Sequence, residues 1–444
     1  MSACIDCLAA PQPRASLSYK TTTVIAVITA MTFAASGAAP TTLYQRYQEV
    51  FGLTPFILTI IFGAYVLSLL AALLTVGSLS DYIGRRPAIL AALALNVAAM
   101  LMFISADSAA TLIAARVVQG FATGLATATL GAAIMDTDRN RGPVLNSITA
   151  FIGLTAGSLG GGALVTYAPD PQQLVYAVLL ALSAAEALVL WYMLETVTPK
   201  PGVLASLRPH VSIPAKARRA LMQVTPVTVA SWALGGFYFS LMPSLVPVAT
   251  GVTLPIVGGL VVSALTFTGA MAVLSFRNTS ARRILSGGIP ALVAGVVITL
   301  TGVQMQRVSL MLLGTIVAGV GFGAAFSGAM RTVMPQAEAH ERAGLLSAFY
   351  VEGYLSFSLP AILTGLLAPI AGLPLAADLY GAVVIMLAIA SLLAMVRSGA
   401  ITIRRKRTLR GFGHPNKQDD CACNLDTRRG HRRTKPHGWR DCFA

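Results

Sequence analysis

Long stretches without a single charge, separated by short polar turns, constrain this chain more than any other feature. Residues 56–76 and 88–105 contain no Asp, Glu, Lys or Arg. The hydrocarbon layer of a bilayer is about 30 Å thick, and a helix needs about 20 residues to cross it. A helix satisfies its own backbone hydrogen bonds in that layer, where water is absent. Comparable runs recur along the chain. They predict twelve spans, over about residues 21–39, 56–76, 87–105, 109–135, 144–165 and 174–194, then 225–248, 255–276, 284–303, 308–330, 343–367 and 376–396.

Composition agrees. The 444 residues are 55% hydrophobic and 11% charged, whereas a soluble domain carries about 25% charged residues. That excludes a soluble fold with a single anchor. The fold class expected is an all-α membrane protein with twelve transmembrane helices in two pseudo-symmetric six-helix bundles. The chain divides into an N-terminal segment (1–20), a first bundle (21–194), a central loop (195–224), a second bundle (225–396) and a basic tail (397–444). The central loop is rich in proline and in basic residues, and its second part is expected as a short helix on the membrane surface. The tail lacks apolar periodicity, which predicts disorder.

The net charge of +15 does not point to nucleic acid, because the charges alternate by loop. With the N-terminus inside and the tail set aside, the inside segments hold 16 Lys and Arg and the outside loops only Arg46 and Arg307. Cytoplasmic loops concentrate basic residues. A multi-pass protein of the plasma (inner) membrane with both termini cytoplasmic is therefore expected. The run 21–39 exceeds the roughly 7–15 residues of a signal-peptide core and reads as the first span. All five cysteines (Cys4, Cys7, Cys421, Cys423, Cys442) lie in the terminal segments. Cys4-x-x-Cys7 has no accompanying ligand cluster, so no metal and no cofactor is expected.

Between the second and third spans lies Gly77-Ser78-Leu79-Ser80-Asp81-Tyr82-Ile83-Gly84-Arg85-Arg86-Pro87. Gly77 and Gly84 permit a tight reversal, and Pro87 suits the first turn of a helix. The spacing G-x-L-x-D-x-x-G-R-R resembles the signature loop of the major facilitator superfamily of transporters, with Tyr82 where the family usually has a basic residue. The resemblance implies twelve helices in two halves, and a loop (Gly77, Asp81, Gly84, Arg85, Arg86) that gates one side of the membrane. An internal repeat fits it. Asp81–Arg86 aligns with Asn278–Arg283 at an offset of 197, Gly120-x-x-x-Gly124 with Gly319-x-x-x-Gly323 at 199, and Ser158-Leu159 with Ser358-Leu359 at 200. A near-constant offset suits two parallel halves related by an axis along the membrane normal.

Ionisable residues within spans are costly and mark partners or pathways. Three lie deep: Arg116, Glu186 and Glu352. Arg116, with Gln119 and Gly120, resembles the family's second motif, whose arginine is tied to proton coupling. A fixed positive charge there would favour the ionised form of a nearby carboxylate. Glu352, flanked by Tyr350 and Tyr354, falls near mid-span on a helix that the resemblance places between the halves. Glu186 falls on a helix placed at the periphery, where packing is the commoner role. Gly153, Gly157, Gly161 and Gly162 resemble the family's exporter motif, with Ser158 where that motif has proline. Their safer reading is close helix packing. Trp232 and Tyr238 are pocket candidates, since aromatic rings with polar tips suit mixed apolar ligands.

The function expected is secondary active transport by alternating access, in the drug/proton-antiporter-like branch. Its substrate is a small, partly apolar molecule, exported against protons. The partners are substrate, protons and the lipid bilayer, with a monomeric protein and no nucleic acid. Uptake or facilitated diffusion of a small metabolite is the alternative. An enzyme or scaffold is disfavoured, since no span carries a nucleophile–base pair.

Overall fold

The computed structural model describes residues 18–397, apart from 210 and 339. The Cys4-x-x-Cys7 pair and the tail from 398 lie outside these residues. Among the described residues every regular element is helical. Eleven helices are long and apolar enough to cross a membrane, and a bent pair supplies the twelfth span. The chain is thus a multi-pass membrane protein.

The first half comprises α1 (Tyr19–Ala38), α2 (Pro55–Val76), α3 (Arg85–Ile104), α4 (Ala109–Thr137), α5 (Gly142–Tyr167) and α6 (Pro171–Leu190). The second comprises α7 (Ala215–Ser240), α8 (Pro255–Ser275), α9 (Ala281–Gln304), α10 (Val308–Val333), α11 (Arg342–Ala371) and α12 (Leu373–Arg397). Local chemistry starts several of them. Thr54 caps α2 by accepting from the Ile57 amide, with Pro55 at the first helical position. Ser108 and Thr111 form a reciprocal capping box at α4. Such caps satisfy amides that the helix itself leaves free.

Packing repeats between the halves. α1 packs on α4 and α5, as α7 does on α10 and α11. α2 and α3 pack on α4, as α8 and α9 do on α10, and α3–α6 repeats as α9–α12. The two halves meet through α2 against α11 and α5 against α8, a pairing the same pseudo-two-fold exchanges.

Two departures from the sequence expectation have local causes. α7 starts at Ala215, so the later part of the central loop expected as a separate surface helix, which holds Lys216, Arg218 and Arg219, forms the first turns of the span instead. Ala-Lys-Ala-Arg-Arg-Ala-Leu favours helix throughout, and the span beyond it propagates without a break. At its other end α7 bends by 65° into a second helix, Met242–Thr250. Pro243 has no N–H to donate back into the preceding turn, which permits the break. In addition, the loop after α1 is a 3-10 turn, Ala39–Leu43, followed by a helix, Tyr44–Phe51.

Candidate functional site

The signature-like loop is a compact, hydrogen-bonded turn. A short helix, Ser80–Ile83, is followed by Gly84 at φ +102, which only glycine adopts without strain. Gly77 stays right-handed, so the reversal rests on Gly84. Arg85 is nearly buried. Its guanidinium pairs with Asp81, donates to Ser80 Oγ at 2.6 Å, and donates through Nε to Asp136 Oδ2 at 3.1 Å. Asp136 lies at the end of α4 and also accepts from the Thr196 hydroxyl at 3.1 Å.

Glu195, just beyond α6, completes the loop. Its two carboxylate oxygens accept the Arg85 and Arg86 amides at 2.7 and 3.0 Å. Those are the first amides of α3, which lack intrahelical partners and lie at the positive end of the helix dipole. Sequence reasoning missed Glu195. The available signal was an acid one turn past a span, in a linker otherwise proline-rich and basic. The Arg86 guanidinium lies over the Trp191 ring, 5.2 Å from its centroid.

A second site surrounds Arg116, which is fully buried. Its Nη1 donates to the Gly37 carbonyl at 3.0 Å and to Gln119 Oε1 at 2.9 Å, and its Nη2 to the Tyr44 hydroxyl at 2.8 Å. The rings of Tyr65, Tyr44 and Phe103 stand 5.2–5.9 Å from the guanidinium carbon. Gln119 donates in turn to the Ser36 carbonyl at 2.8 Å. Pro40 explains why those carbonyls are free. It brings no N–H to Ser36, four residues back, nor to Gly37, three residues back where the helix tightens to 3-10. Among the described residues no carboxylate forms an ion pair with Arg116. The charge is held by carbonyl dipoles, a phenol and π faces. The nearby carboxylate that the coupling argument wanted is not beside it.

Gly120 and Gly124 let α4 approach α2, since a Cβ on either would meet the carbonyl of Tyr65 or Leu69. On α5, Gly153, Gly157 and Gly161 face Met31, Ala35 and Ala39–Thr42, while Gly162 faces Ile256 and Gly259 of α8.

A third site lies where the halves meet. The Trp232 ring on α7 lies against the backbone of Gly353, between Glu352 and Tyr354 on α11. Its centroid is 5.0 Å from that of Tyr354, 6.0 Å from Phe357 and 6.3 Å from Phe326. Phe357 continues to Phe62 of α2 at 5.2 Å, and Phe326 to Phe151 of α5 at 6.0 Å. The rings thus form a band from one half to the other. Trp232 Nε1 in the band is buried without a hydrogen-bond partner, and so is Oε1 of Glu352, the residue before Gly353, whose carboxyl also lies within reach of the Thr225 hydroxyl of α7. Tyr238 does not join this band. It is buried inside the second half, its hydroxyl 2.9 Å from Thr315 and 3.3 Å from Thr299.

Contacts between the halves are close at the end opposite the signature-like loop. Thr59 and Gly63 of α2 abut Gly365 and Ile362 of α11. The Ile256 amide donates to Thr166 Oγ1 at 2.9 Å, and Ser244 Oγ to Gln48 Oε1 at 3.1 Å.

The sequence model of the Major Facilitator Superfamily matches residues 25–359. The chain belongs to this superfamily. The multidrug resistance protein MdtL of Klebsiella pneumoniae is 27% identical over 297 residues, which are 64% of this chain and 74% of that protein. MdtL of Escherichia coli O6:H1 is 26% identical over 286 residues, 62% of this chain and 71% of that protein. A bacterial homologue of the human lysosomal transporter Spinster, solved in an inward-facing, unoccupied conformation, superposes with a TM-score of 0.63 at 14% identity, over 86% of this chain and 95% of that one. The nucleoside transporter NupG superposes at 0.65 and 13% identity, over 85% and 100%. The loop that resembles the superfamily's signature is the one that Glu195 and Asp136 hold in place here.

Proposed function

We propose that this superfamily member exports a small, partly apolar molecule in exchange for protons, by alternating access. Both termini lie in the cytoplasm. The basic loops then face inward by the positive-inside rule, and the closed contacts between α2 and α11 lie on the outer side. The conformation is accordingly inward-facing. The multidrug resistance relatives support a broad, apolar substrate class.

The observation that carries the reading is the aromatic band with its unpaired Trp232 Nε1, and beside it on α11 the buried Oε1 of Glu352. Native structures rarely leave buried polar groups unpaired, and those that remain call for an explanation. A ligand stacked on the rings, with a donor for Glu352 and an acceptor for Trp232, supplies one. Arg116, Gln119, Gly120, Glu352 and Tyr354 form the coupling and translocation set, and the loop at Asp81 and Arg85 the gate.

The test is a panel of amphipathic fluorescent compounds in proteoliposomes with an imposed pH gradient. At least one compound should move against its gradient when protons move down theirs. Trp232→Ala and Glu352→Gln should each raise its KM several-fold. Unchanged KM in both variants would remove the band as the binding site. Ser158 in the exporter-like motif favours one further reading, uptake or facilitated diffusion. Accumulation inside cells that falls when the protein is deleted would decide for it.

A further inference from the structure

Glu186 lies on α6, away from the aromatic band and from Arg116. Its Oε1 accepts from the Thr32 hydroxyl of α1 at 2.6 Å, and its Oε2 is buried without a partner. Small polar groups lie one turn away on the same helices. Ser183, one turn earlier on α6, accepts from Asn96 Nδ2 of α3 at 2.9 Å. Asn96 also reaches Ser36 Oγ at 3.5 Å, one turn beyond Thr32 on α1. The Ser36 carbonyl is the one that Gln119 binds, and Gln119 binds Arg116. Asn96 Oδ1 nearby is buried and unpaired as well, while the Thr29 hydroxyl of α1 lies within reach of the Glu186 carboxyl. Asn96, Ser36 and Gln119 thus form one set that ends at Arg116, and the Glu186–Thr32 pair lies one turn from it along both α6 and α1.

The helices packed on α6 are α3, α1 and α5. They bring Asn96, Thr29, Thr32 and Ser36 toward this region, and no charged or titratable side chain from them faces Glu186. A carboxylate with no counter-ion and one orphaned oxygen costs free energy in its charged form. Adding a proton to Oε2 converts that orphaned acceptor to a hydroxyl and removes the charge, while Thr32 continues to donate to Oε1. Losing the proton restores the carboxylate. Either state stays hydrogen-bonded, and no other reactant is needed.

We propose that Glu186 binds and releases the coupling proton within the first half, and that Thr32, Asn96 and Ser36 pass its charge state to Arg116 and Gln119. The proposal rests on the proton-antiport reading. It relocates the proton site from the interface to the interior of one bundle, on the helices that also hold Arg116 and Gln119 through the Ser36 and Gly37 carbonyls.

Two measurements test it. The first needs no substrate: an infrared pH titration of the protein in lipid nanodiscs, following the protonated-carboxyl band. Glu186→Gln should remove one titrating component. Thr32→Val, which deletes a donor to the carboxylate, should move that component's midpoint to higher pH. A structural carboxyl that never titrates would leave the spectrum unchanged in both variants, and that would overturn the proposal. The second uses the compound selected by the wild-type screen. Glu186→Gln should lose gradient-driven accumulation yet keep substrate exchange at equal pH, which shows that it is folded. Glu186→Asp should retain coupling with a displaced pH profile. Gradient-driven transport that persists in Glu186→Gln sinks the assignment to this residue alone. Wild-type transport indifferent to the pH gradient sinks the antiport reading itself, and the assignment with it.

Discussion

At the residue scale, Arg116 shows how a buried charge is accommodated without an opposite charge. Three hydrogen bonds and three rings surround a guanidinium that is fully buried. Its planar fork reaches Gly37, Gln119 and Tyr44 at once, which the point charge of a lysine does not reproduce. Arg116→Lys should therefore reduce transport at least tenfold, since hydrogen bonds to charged groups are worth about 1.5–3 kcal/mol each. Initial rates in proteoliposomes check it, and rates within twofold of wild type would contradict it. Pro40 allows a prediction of opposite sign. Pro40→Ala restores an N–H that can close a helical bond to the Ser36 carbonyl, in competition with Gln119. Thermal stability should hold or rise while transport falls, and a parallel loss of both would show Pro40 to be merely structural. The arginine itself was legible in the sequence as a lone charge in an apolar run. Gln119, three residues on, was legible with it, but two other partners were not, because Gly37 and Tyr44 lie 79 and 72 positions away and meet it only once α1 and the segment after it pack on α4.

At the element scale, the turn between α2 and α3 is fixed by groups outside its own motif. Gly84 supplies the backbone angle, and Glu195 caps α3 from the far end of the first bundle. The two are in direct contact, since a Cβ on Gly84 would stand 2.6 Å from Glu195 Oε2. Gly84→Ala should cost about 1–3 kcal/mol in backbone strain, with the clash added. Glu195→Ala should cost about 0.5–2 kcal/mol as a lost cap. Because truncating Glu195 removes the clash, the double variant should cost less than the sum of the two. Unfolding midpoints in detergent of the four proteins measure this coupling, and strict additivity would show that the two side chains do not interact. The motif spacing made the turn legible. Glu195 stayed hidden because its partners are amides, which every residue except proline carries, so no residue type announces them. The early start of α7 was hidden for a related reason: positive charge suggested a surface segment, while helix propensity carried the span through it.

At the scale of the whole molecule, the alternation of charge-free runs and basic turns made twelve spans legible, and the near-constant offset made two halves legible. Which end is closed was not, because contact between α2 and α11 depends on the packing of small against branched residues and leaves no periodic trace. Alternating access requires that contact to open and reform. An added Cβ on Gly365 would stand 3.0 Å from the Thr59 Cβ, close to the roughly 3.5–4.5 Å found across disulfides. The pair Thr59→Cys and Gly365→Cys, in a background lacking the five terminal cysteines, should therefore cross-link readily under mild oxidation. The oxidised protein should still bind the transported compound from the side bearing Arg85 and should complete no transport cycle. Reduction should restore turnover, and either single variant should be insensitive to oxidant. The same contact, at the end of the molecule farthest from Asp81, would then be the one that must part for substrate to leave. Transport that continued at full rate with the cross-link formed would mean that α2 and α11 never separate there, and a rocking motion of the two bundles could not be how this protein works.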